Sequence, residues 1–206
     1  MVAAVKSPHI ATPNILQEDI FLVDFGMSFP ADRKPADYEP ATQVLFVTPE
    51  AYFDGDVSFA SDVWALACVI FQIRAGVSPF DAWFDTINPT LKEMVWTLGR
   101  LPDPWWDSWE ERRRSFEENG DVLPADRAED PTDKISLRQK LHNIGRQDDP
   151  STQDLEWSII EKTGMSLDEA EVELLGDLLE KMIKYRPEER ISMKEVVQHP
   201  WFQYGQ

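Results

Sequence analysis

Cysteine and histidine are scarce in this sequence, which excludes two common kinds of stabilising centre. The 206 residues include one cysteine, Cys68, and three histidines. One cysteine cannot form an internal disulfide, and it cannot complete a structural zinc site with scattered histidines. A chain without disulfides is typical of the cytosol or nucleus, which is the compartment we expect.

Long hydrophobic runs are also absent. No apolar run approaches the ~20 residues that a membrane span requires. The opening stretch, "MVAAVKSPHIATPN", is interrupted by Lys6 and Pro8 and is too short in its apolar part for a signal peptide. In contrast, 42% of the residues are hydrophobic, with eight Trp and eleven Phe. This composition predicts a folded protein with a sizeable core and no membrane partner.

Basic residues are few relative to acidic ones. The chain has 20 Lys and Arg against 38 Asp and Glu, for a formal charge of −18. Such a surface repels nucleic acid and anionic lipid and attracts basic proteins or peptides. Solubility alone is a sufficient reason for this charge. We therefore expect no nucleic-acid partner. The charge either attracts a basic protein or serves solubility alone and selects no partner.

The first two thirds of the chain predict a small hairpin followed by helices. Residues 14–24, "NILQEDIFLVD", indicate two short strands around a polar turn. Residues 61–76, "SDVWALACVIFQIRAG", are apolar nearly all round, so they predict a helix in the middle of the fold, with a strand as the alternative. A short helix is predicted for 88–99, with Asn88 as its cap, and another near 108–118. The polar, proline-containing range 121–154 indicates an exposed insertion with a turn or two of helix around 134–142.

The last third predicts two capped helices. Ser166 with Glu169 and Ser192 with Glu195 match the spacing of capping boxes. Apolar residues at helical spacing follow the first box and predict a buried face: Val172, Leu175, Leu179, Met182 and Ile183. The predicted fold class is mainly α, a helical domain with a small β-hairpin near the N-terminus.

Four motifs then occur in a recognisable order: "DFG" at 24–26 after an apolar run, "TPE" at 48–50, "SDVWALACVIFQIRAGVSPF" at 61–80 and "RPEERISMKEVVQHPWF" at 186–202. Together they resemble the C-terminal lobe of a eukaryotic protein kinase. "VSFASDVWALAC" and the Trp-rich stretch at 91–116 are similar to the SR-protein-kinase-like branch, particularly its short fungal members. The resemblance covers nearly the whole chain as a single partial kinase domain.

The resemblance implies a nucleotide-associated metal site. Asp24 would be the Mg²⁺ ligand that bridges the ATP phosphates, and Asn14 would supply the second metal ligand. Read without the other motifs, Asp24 is also the kind of residue that turns the chain at the end of a strand. His9 occupies the position of the family's catalytic Asp, where it is either a weak substitute base or a loop residue without a catalytic role.

Other matched residues would have structural roles. Glu50 and Arg190 resemble the family's buried ion pair, and Asp62 begins the central helix, where the family's Asp binds the catalytic loop. Phe25 and Gly26 complete the "DFG" motif.

Several family elements have no counterpart in these 206 residues. There is no Gly-x-Gly-x-x-Gly, no Val-Ala-x-Lys strand, and no helix ahead of the catalytic loop to cover the central helix. We therefore expect an N-terminally truncated serine/threonine kinase-family chain, doubtful in its binding of Mg²⁺ and ATP and marginal in stability. Its substrate would be a basic, Arg/Ser-rich protein. The alternative is a non-catalytic pseudokinase fragment that binds a protein through residues 105–116 and 121–154, or a truncated product with no independent role.

Overall fold

The chain divides into two units, Met1–Ala41 and Thr42–Gln206. The structure is a computed structural model. It describes residues 21–30, 33–36, 38, 42–80, 86–123, 135–145 and 166–205.

The described part of the first unit contains one turn of 3-10 helix, Phe25–Met27, and no strand. The hairpin predicted for 14–24 is therefore wrong in its second strand, because residues 21–24 have no regular structure. Phe21 and Val23 are exposed, so their apolar side chains lack the packing that normally stabilises a strand. Residues 14–20 lie outside the described part of the chain.

The second unit is helical. Where it is described, its only β pairing is an antiparallel bridge between Phe116 and Val122. Its α-helices are α1 (Pro49–Phe53), α2 (Phe59–Ala75), α3 (Ile87–Leu98), α4 (Asp103–Ser108), α5 (Leu137–His142), α6 (Glu169–Met182) and α7 (Met193–Val196). None of the described helices is both long and apolar enough to cross a membrane.

The ends of α2 are fixed by local hydrogen bonds. The Ser58 hydroxyl accepts from the Ala60 N–H at 3.2 Å, and the Ser61 hydroxyl accepts from the Ser58 N–H at 3.0 Å. Gly76 ends the helix with a φ of 78°, a left-handed conformation that glycine adopts without steric cost. The predicted helix at 61–76 is thus confirmed, and it begins two residues earlier.

One face of α2 is buried and another is not. Trp64, Cys68 and Phe71 belong to the core. Val69 and Ile73 are 39% and 58% exposed. One face of α2 therefore packs in the core, while Val69 and Ile73 form an exposed apolar strip on another face.

Helix α6 packs against both α2 and α5. All the apolar positions predicted for its face are buried. Its cap, however, is Asp168 and not Ser166: the Asp168 carboxylate accepts from the Glu171 N–H at 2.9 Å. The Tyr204 hydroxyl donates to the same carboxylate. This long-range contact favours Asp168 over the nearby serine.

Helix α5 lies inside the range expected to be an exposed insertion. Leu137, Leu141 and Ile144 are buried in the core, so exposure is wrong for this part of 121–154. Arg138 of α5 lies across Gly176 of α6, where an added Cβ would be 2.9 Å from the Arg138 Cγ. The absence of a side chain at Gly176 therefore permits the two helices to approach. Residues 124–134 and 146–154 lie outside the described part.

The Trp-rich segment is part of the core. Trp105, Trp106, Trp109 and Phe116 are all buried. The helix predicted near 108–118 is instead α4 followed by a 3-10 helix, Glu110–Arg114. The buried rings therefore cannot form the contact surface suggested for 105–116, whereas Asp107, Glu110, Arg113 and Arg114 of this range are exposed.

Two hydrogen bonds of indole N–H groups hold this segment in place. Trp105 donates to Asp54 at 2.8 Å, and Trp109 donates to Asn88 at 2.9 Å. Asn88 is therefore a partner of Trp109 and not the cap of α3, which begins after Thr86.

The capping box of Ser192 and Glu195 is confirmed. The Ser192 side chain accepts from the Glu195 N–H, and the Glu195 carboxylate accepts from the Ser192 N–H at 3.0 Å. Helix α7 ends at Val196, before a 3-10 helix begins at Pro200.

Candidate functional site

Asp24 lies at a tight turn of the first unit. Its φ of 66° and ψ of 57° place it in the left-handed region, which is uncommon for a residue other than glycine. The turn is closed by Ser28, whose backbone N–H and hydroxyl both donate to the Phe25 carbonyl, at 3.0 Å and 2.8 Å. The strain of such a conformation, about 1–3 kcal/mol, is common at ligand-binding positions.

The Asp24 carboxylate suits a hard cation. It is exposed and makes no capping hydrogen bond to the helical turn that follows. Its Oδ1 lies 3.7 Å from the Cβ that a side chain at Gly26 would add, so an alanine there would contact the carboxylate. Carboxylate oxygen is a preferred ligand of Mg²⁺, which typically keeps several waters and takes one or two protein carboxylates. The residue therefore fits the predicted metal.

The remaining predicted metal and catalytic residues, Asn14 and His9, lie outside the described part of the chain. Within the described part, no three His, Cys, Asp or Glu side chains are grouped as metal ligands. The structure thus describes one of the two expected metal ligands.

Glu50 and Arg190 form a buried, bidentate ion pair in the second unit. The Arg190 Nη1 and Nη2 atoms each donate to one Glu50 oxygen at 2.7 Å, and the side chains are 0% and 5% exposed. Two parallel charge-assisted bonds of this kind fix orientation as well as distance. The pair joins α1 to the segment before α7, across 140 residues of sequence.

Every N–H of the Arg190 guanidinium has an acceptor. Besides the two bonds to Glu50, it donates to the carbonyls of Lys184 at 2.8 Å, Ala60 at 2.8 Å and Tyr185 at 3.1 Å. A buried charge is tolerated only when its hydrogen bonds are satisfied in this way. The guanidinium consequently connects α1, the start of α2 and the end of α6.

Two residues of this network were not predicted from the sequence. The Ser61 hydroxyl donates to a Glu50 oxygen at 2.9 Å, and the Trp64 ring lies 5.0 Å from the Arg190 guanidinium carbon. Ser61 directly precedes Asp62 near the start of α2, and Trp64 follows two residues after it. Their closeness to a predicted site residue was the sequence signal that could have identified them. The network therefore includes Ser61, whose hydroxyl also takes part in the capping box of α2.

Asp62 lies in the first turn of α2. Partial burial raises the pKa of its carboxyl above the ordinary value, since desolvation disfavours the charged form. The loop that it was expected to bind lies outside the described part of the chain.

Comparison with known proteins gives a family assignment. The family model described as the protein kinase domain matches residues 10–202, which is most of the chain. The match includes Asp24, Glu50, Asp62 and Arg190.

Individual relatives agree with this match. The chain is 27% identical over 194 residues to the dual specificity protein kinase CLK1 of Mus musculus, covering 91% of this chain and 34% of the relative. It is 25% identical over 186 residues to the dual specificity protein kinase lkh1 of Schizosaccharomyces pombe, covering 89% and 24%. It is 41% identical over 76 residues to the serine/threonine-protein kinase RUNKEL of Arabidopsis thaliana, covering 34% and 6%.

The chain thus spans about a third or less of the length of these relatives. Because the family match extends over nearly all of its residues, the chain belongs to the protein kinase domain family.

Proposed function

We propose that this chain is the substrate-side, C-terminal lobe of a serine/threonine kinase of the SR-protein-kinase-like type, and that the 206-residue polypeptide alone does not transfer phosphate. The Glu50–Arg190 pair supports the assignment as a kinase C-terminal lobe, because it joins the "TPE" motif at 48–50 to the closing motif at 186–202. The branch assignment depends on the similarity of residues 57–68 and 91–116 to that group.

Magnesium and ATP together would supply the transferable γ-phosphoryl group. Asp24 would hold the metal through its exposed carboxylate, and Asn14 would contribute a neutral amide oxygen. These are the only phosphate-associated groups that the resemblance assigns to this chain.

The lack of transfer is argued from the residues present. Phosphoryl transfer depends on positioning and on charge stabilisation around the phosphates. The 206 residues contain no glycine-rich phosphate loop, and the position of the catalytic Asp is His9. An imidazole beside Mg²⁺ is disfavoured in its protonated form, so it is a poor acceptor for the substrate hydroxyl proton.

The proposed substrate class is a basic, Arg/Ser-rich protein. The formal charge of −18 raises the local concentration of such a substrate by electrostatic attraction. Non-catalytic binding of a protein partner is the second candidate function, and the exposed apolar strip of Val69 and Ile73 favours it.

One set of measurements separates these functions. The purified chain is assayed for a thermal shift with millimolar Mg-ATP and for phosphate transfer to an Arg/Ser-repeat peptide. We expect no shift and no transfer. Fluorescence anisotropy with the same labelled peptide then measures binding alone, and binding without transfer supports the non-catalytic role.

The matched variants are Asp24→Ala and Glu188→Ala, since Glu188 is an exposed acid remote in sequence from the proposed ligand. Transfer that is lost in Asp24→Ala and kept in Glu188→Ala would refute the claim of inactivity and support the metal site.

A further inference from the structure

A cleft lies between the end of α3 and the segment that follows α6. Its volume is about 490 Å³. Leu101 and Ile183 contribute to its lining, together with three basic residues, Arg100, Lys184 and Arg186, and two acidic residues, Asp103 and Glu189. Asp103 is paired with Arg100, so Lys184 and Arg186 outnumber the remaining acid, Glu189, in a chain with nearly twice as many acids as bases.

Most basic side chains of the described second unit have acidic partners. Ion pairs are formed by Arg74, Arg100, Arg112, Arg114, Arg138, Lys140, Lys181 and Arg190. Lys184 and Arg186 are exposed, and neither makes an ion pair or side-chain hydrogen bond to a described residue. Because both residues line the cleft and lack an acidic partner on a surface rich in carboxylates, they are available to a ligand.

Arg100 is the fixed member of the group. Its Nε donates to the Glu118 carbonyl at 2.9 Å, and its Nη1 lies 2.5 Å from Asp103 Oδ1. Its guanidinium carbon is 5.0 Å from the centre of the Trp106 ring. These contacts hold the guanidinium in place, so its side chain loses less conformational entropy when a ligand binds in the cleft.

Helix capping is the competing explanation for cations at this place, because α3 and α6 both end here. Cations near a helix C-terminus interact favourably with its exposed carbonyls. Three carbonyls at or just beyond the two helix ends already have donors: Gly99 accepts from the Tyr185 hydroxyl at 2.7 Å, and Lys184 and Tyr185 accept from Arg190. Burial raises the pKa of Tyr185 well above its usual value, so its hydroxyl remains a donor. These three carbonyls therefore do not require Lys184 or Arg186 as donors, and neither side chain makes a hydrogen bond to a helix end in the described part of the chain.

We propose that this cleft binds an acidic peptide segment of a protein partner, with peptide carboxylates on Lys184 and Arg186. Charge complementarity selects the sign of the ligand. The chain's overall negative charge repels long polyanions such as nucleic acid, so a short peptide that engages only the local cations is favoured. This surface would act beside the proposed kinase site and does not depend on phosphate transfer.

Fluorescence anisotropy with the full 206-residue chain tests the proposal. The probe is a fluorescein-labelled peptide of sequence Glu-Glu-Leu-Glu-Glu-Phe-Glu-Glu. We expect Lys184→Glu/Arg186→Glu to weaken binding by about tenfold or more. The matched control is Arg113→Glu/Lys194→Glu, which makes the same change in net charge at exposed cations that do not line the cleft. We expect the control to change binding by about twofold at most.

Folding of each variant is checked by its thermal melt, and Lys184→Gln/Arg186→Gln replaces the charge reversal if that variant does not fold. An equal loss in the control pair would overturn the proposal, because general electrostatics would then explain the binding. Absence of binding to the unaltered chain would also overturn it. Displacement of the peptide by equimolar inorganic phosphate would overturn it in favour of a small-anion site.

Discussion

Replacing Glu50 with Gln should strongly destabilise the second unit. Gln retains the shape of the side chain, but it removes the negative charge and turns one acceptor into an N–H₂ group facing Arg190. Arg190 keeps its bonds to three backbone carbonyls. It loses one of its two 2.7 Å bonds to position 50, and the negative charge that strengthens the other, while its side chain remains fully buried.

The expected effect can be estimated from the burial of the pair. Removing one partner of a buried, hydrogen-bonded ion pair costs about 3–5 kcal/mol, because the surviving charge is left desolvated. For a domain of this size, about 2–4 °C of melting temperature corresponds to 1 kcal/mol. Glu50→Gln should therefore lower the melting temperature by about 6–20 °C.

The assay is urea and thermal unfolding followed by circular dichroism, with Arg114→Ala as the control. Arg114 pairs with Glu111 at 2.7 Å, but the two side chains are 80% and 42% exposed. Such a surface pair contributes about 0–1 kcal/mol. The double variant Glu50→Leu/Arg190→Leu should lose less stability than the sum of its single variants. If Glu50→Gln were no more destabilising than Arg114→Ala, the role given to this network would be refuted.

Three further predictions concern packing. Burial raises the pKa of the Cys68 thiol to about 12, so Ellman's reagent at pH 8 should label it only when the protein unfolds. The free energy of unfolding should also fall as the pH rises from about 9 to 12, because the unfolded thiol ionises first. Rapid labelling of the native protein would contradict this prediction. Gly176→Ala should gain less stability in the unaltered chain than in an Arg138→Ala background, where unfolding curves should show the full ~1 kcal/mol of helix propensity. Asp54→Ala should cost about 1 kcal/mol in urea unfolding, the net contribution of one hydrogen bond, and Trp105→Phe should cost more, since it also removes buried ring surface; an unchanged stability in Asp54→Ala would contradict a stabilising role for the 2.8 Å bond.

The helices of the second unit were largely predictable because their signals are local. The apolar run of α2 and the i, i+3, i+4 spacing in α6 both led to buried faces. Caps were less certain where two candidates were adjacent. Ser166 and Asp168 each precede an acid by three residues, and the choice of Asp168 involves Tyr204, which is distant in sequence.

The Trp-rich segment shows why burial was harder to predict. The sequence predicted a helix near 108–118 and suggested a contact surface at 105–116, but Trp105 and Trp109 are buried, and Asp54 and Asn88 accept hydrogen bonds from their N–H groups. Neither partner can be identified from the periodicity of the sequence. The same holds for Ser61, whose bond to Glu50 depends on the approach of α1 to α2.

At the candidate metal site, the sequence motif identified Asp24, and the structure adds its exposed carboxylate and left-handed backbone. The hairpin that was expected to support it is not formed in residues 21–24, where the apolar side chains remain exposed. A strand requires a packed partner, which local alternation cannot guarantee.

The most direct test of the account is whether a divalent cation binds at Asp24. Mn²⁺ replaces Mg²⁺ as a paramagnetic probe in ¹H–¹⁵N spectra of the 206-residue chain, with Asp24→Asn as the comparison. We predict that the amide signals of Asp24, Phe25 and Gly26 broaden at the lowest Mn²⁺ concentrations and that this broadening is lost in Asp24→Asn. Early broadening centred on other acidic residues and unchanged by Asp24→Asn would contradict the proposed metal site.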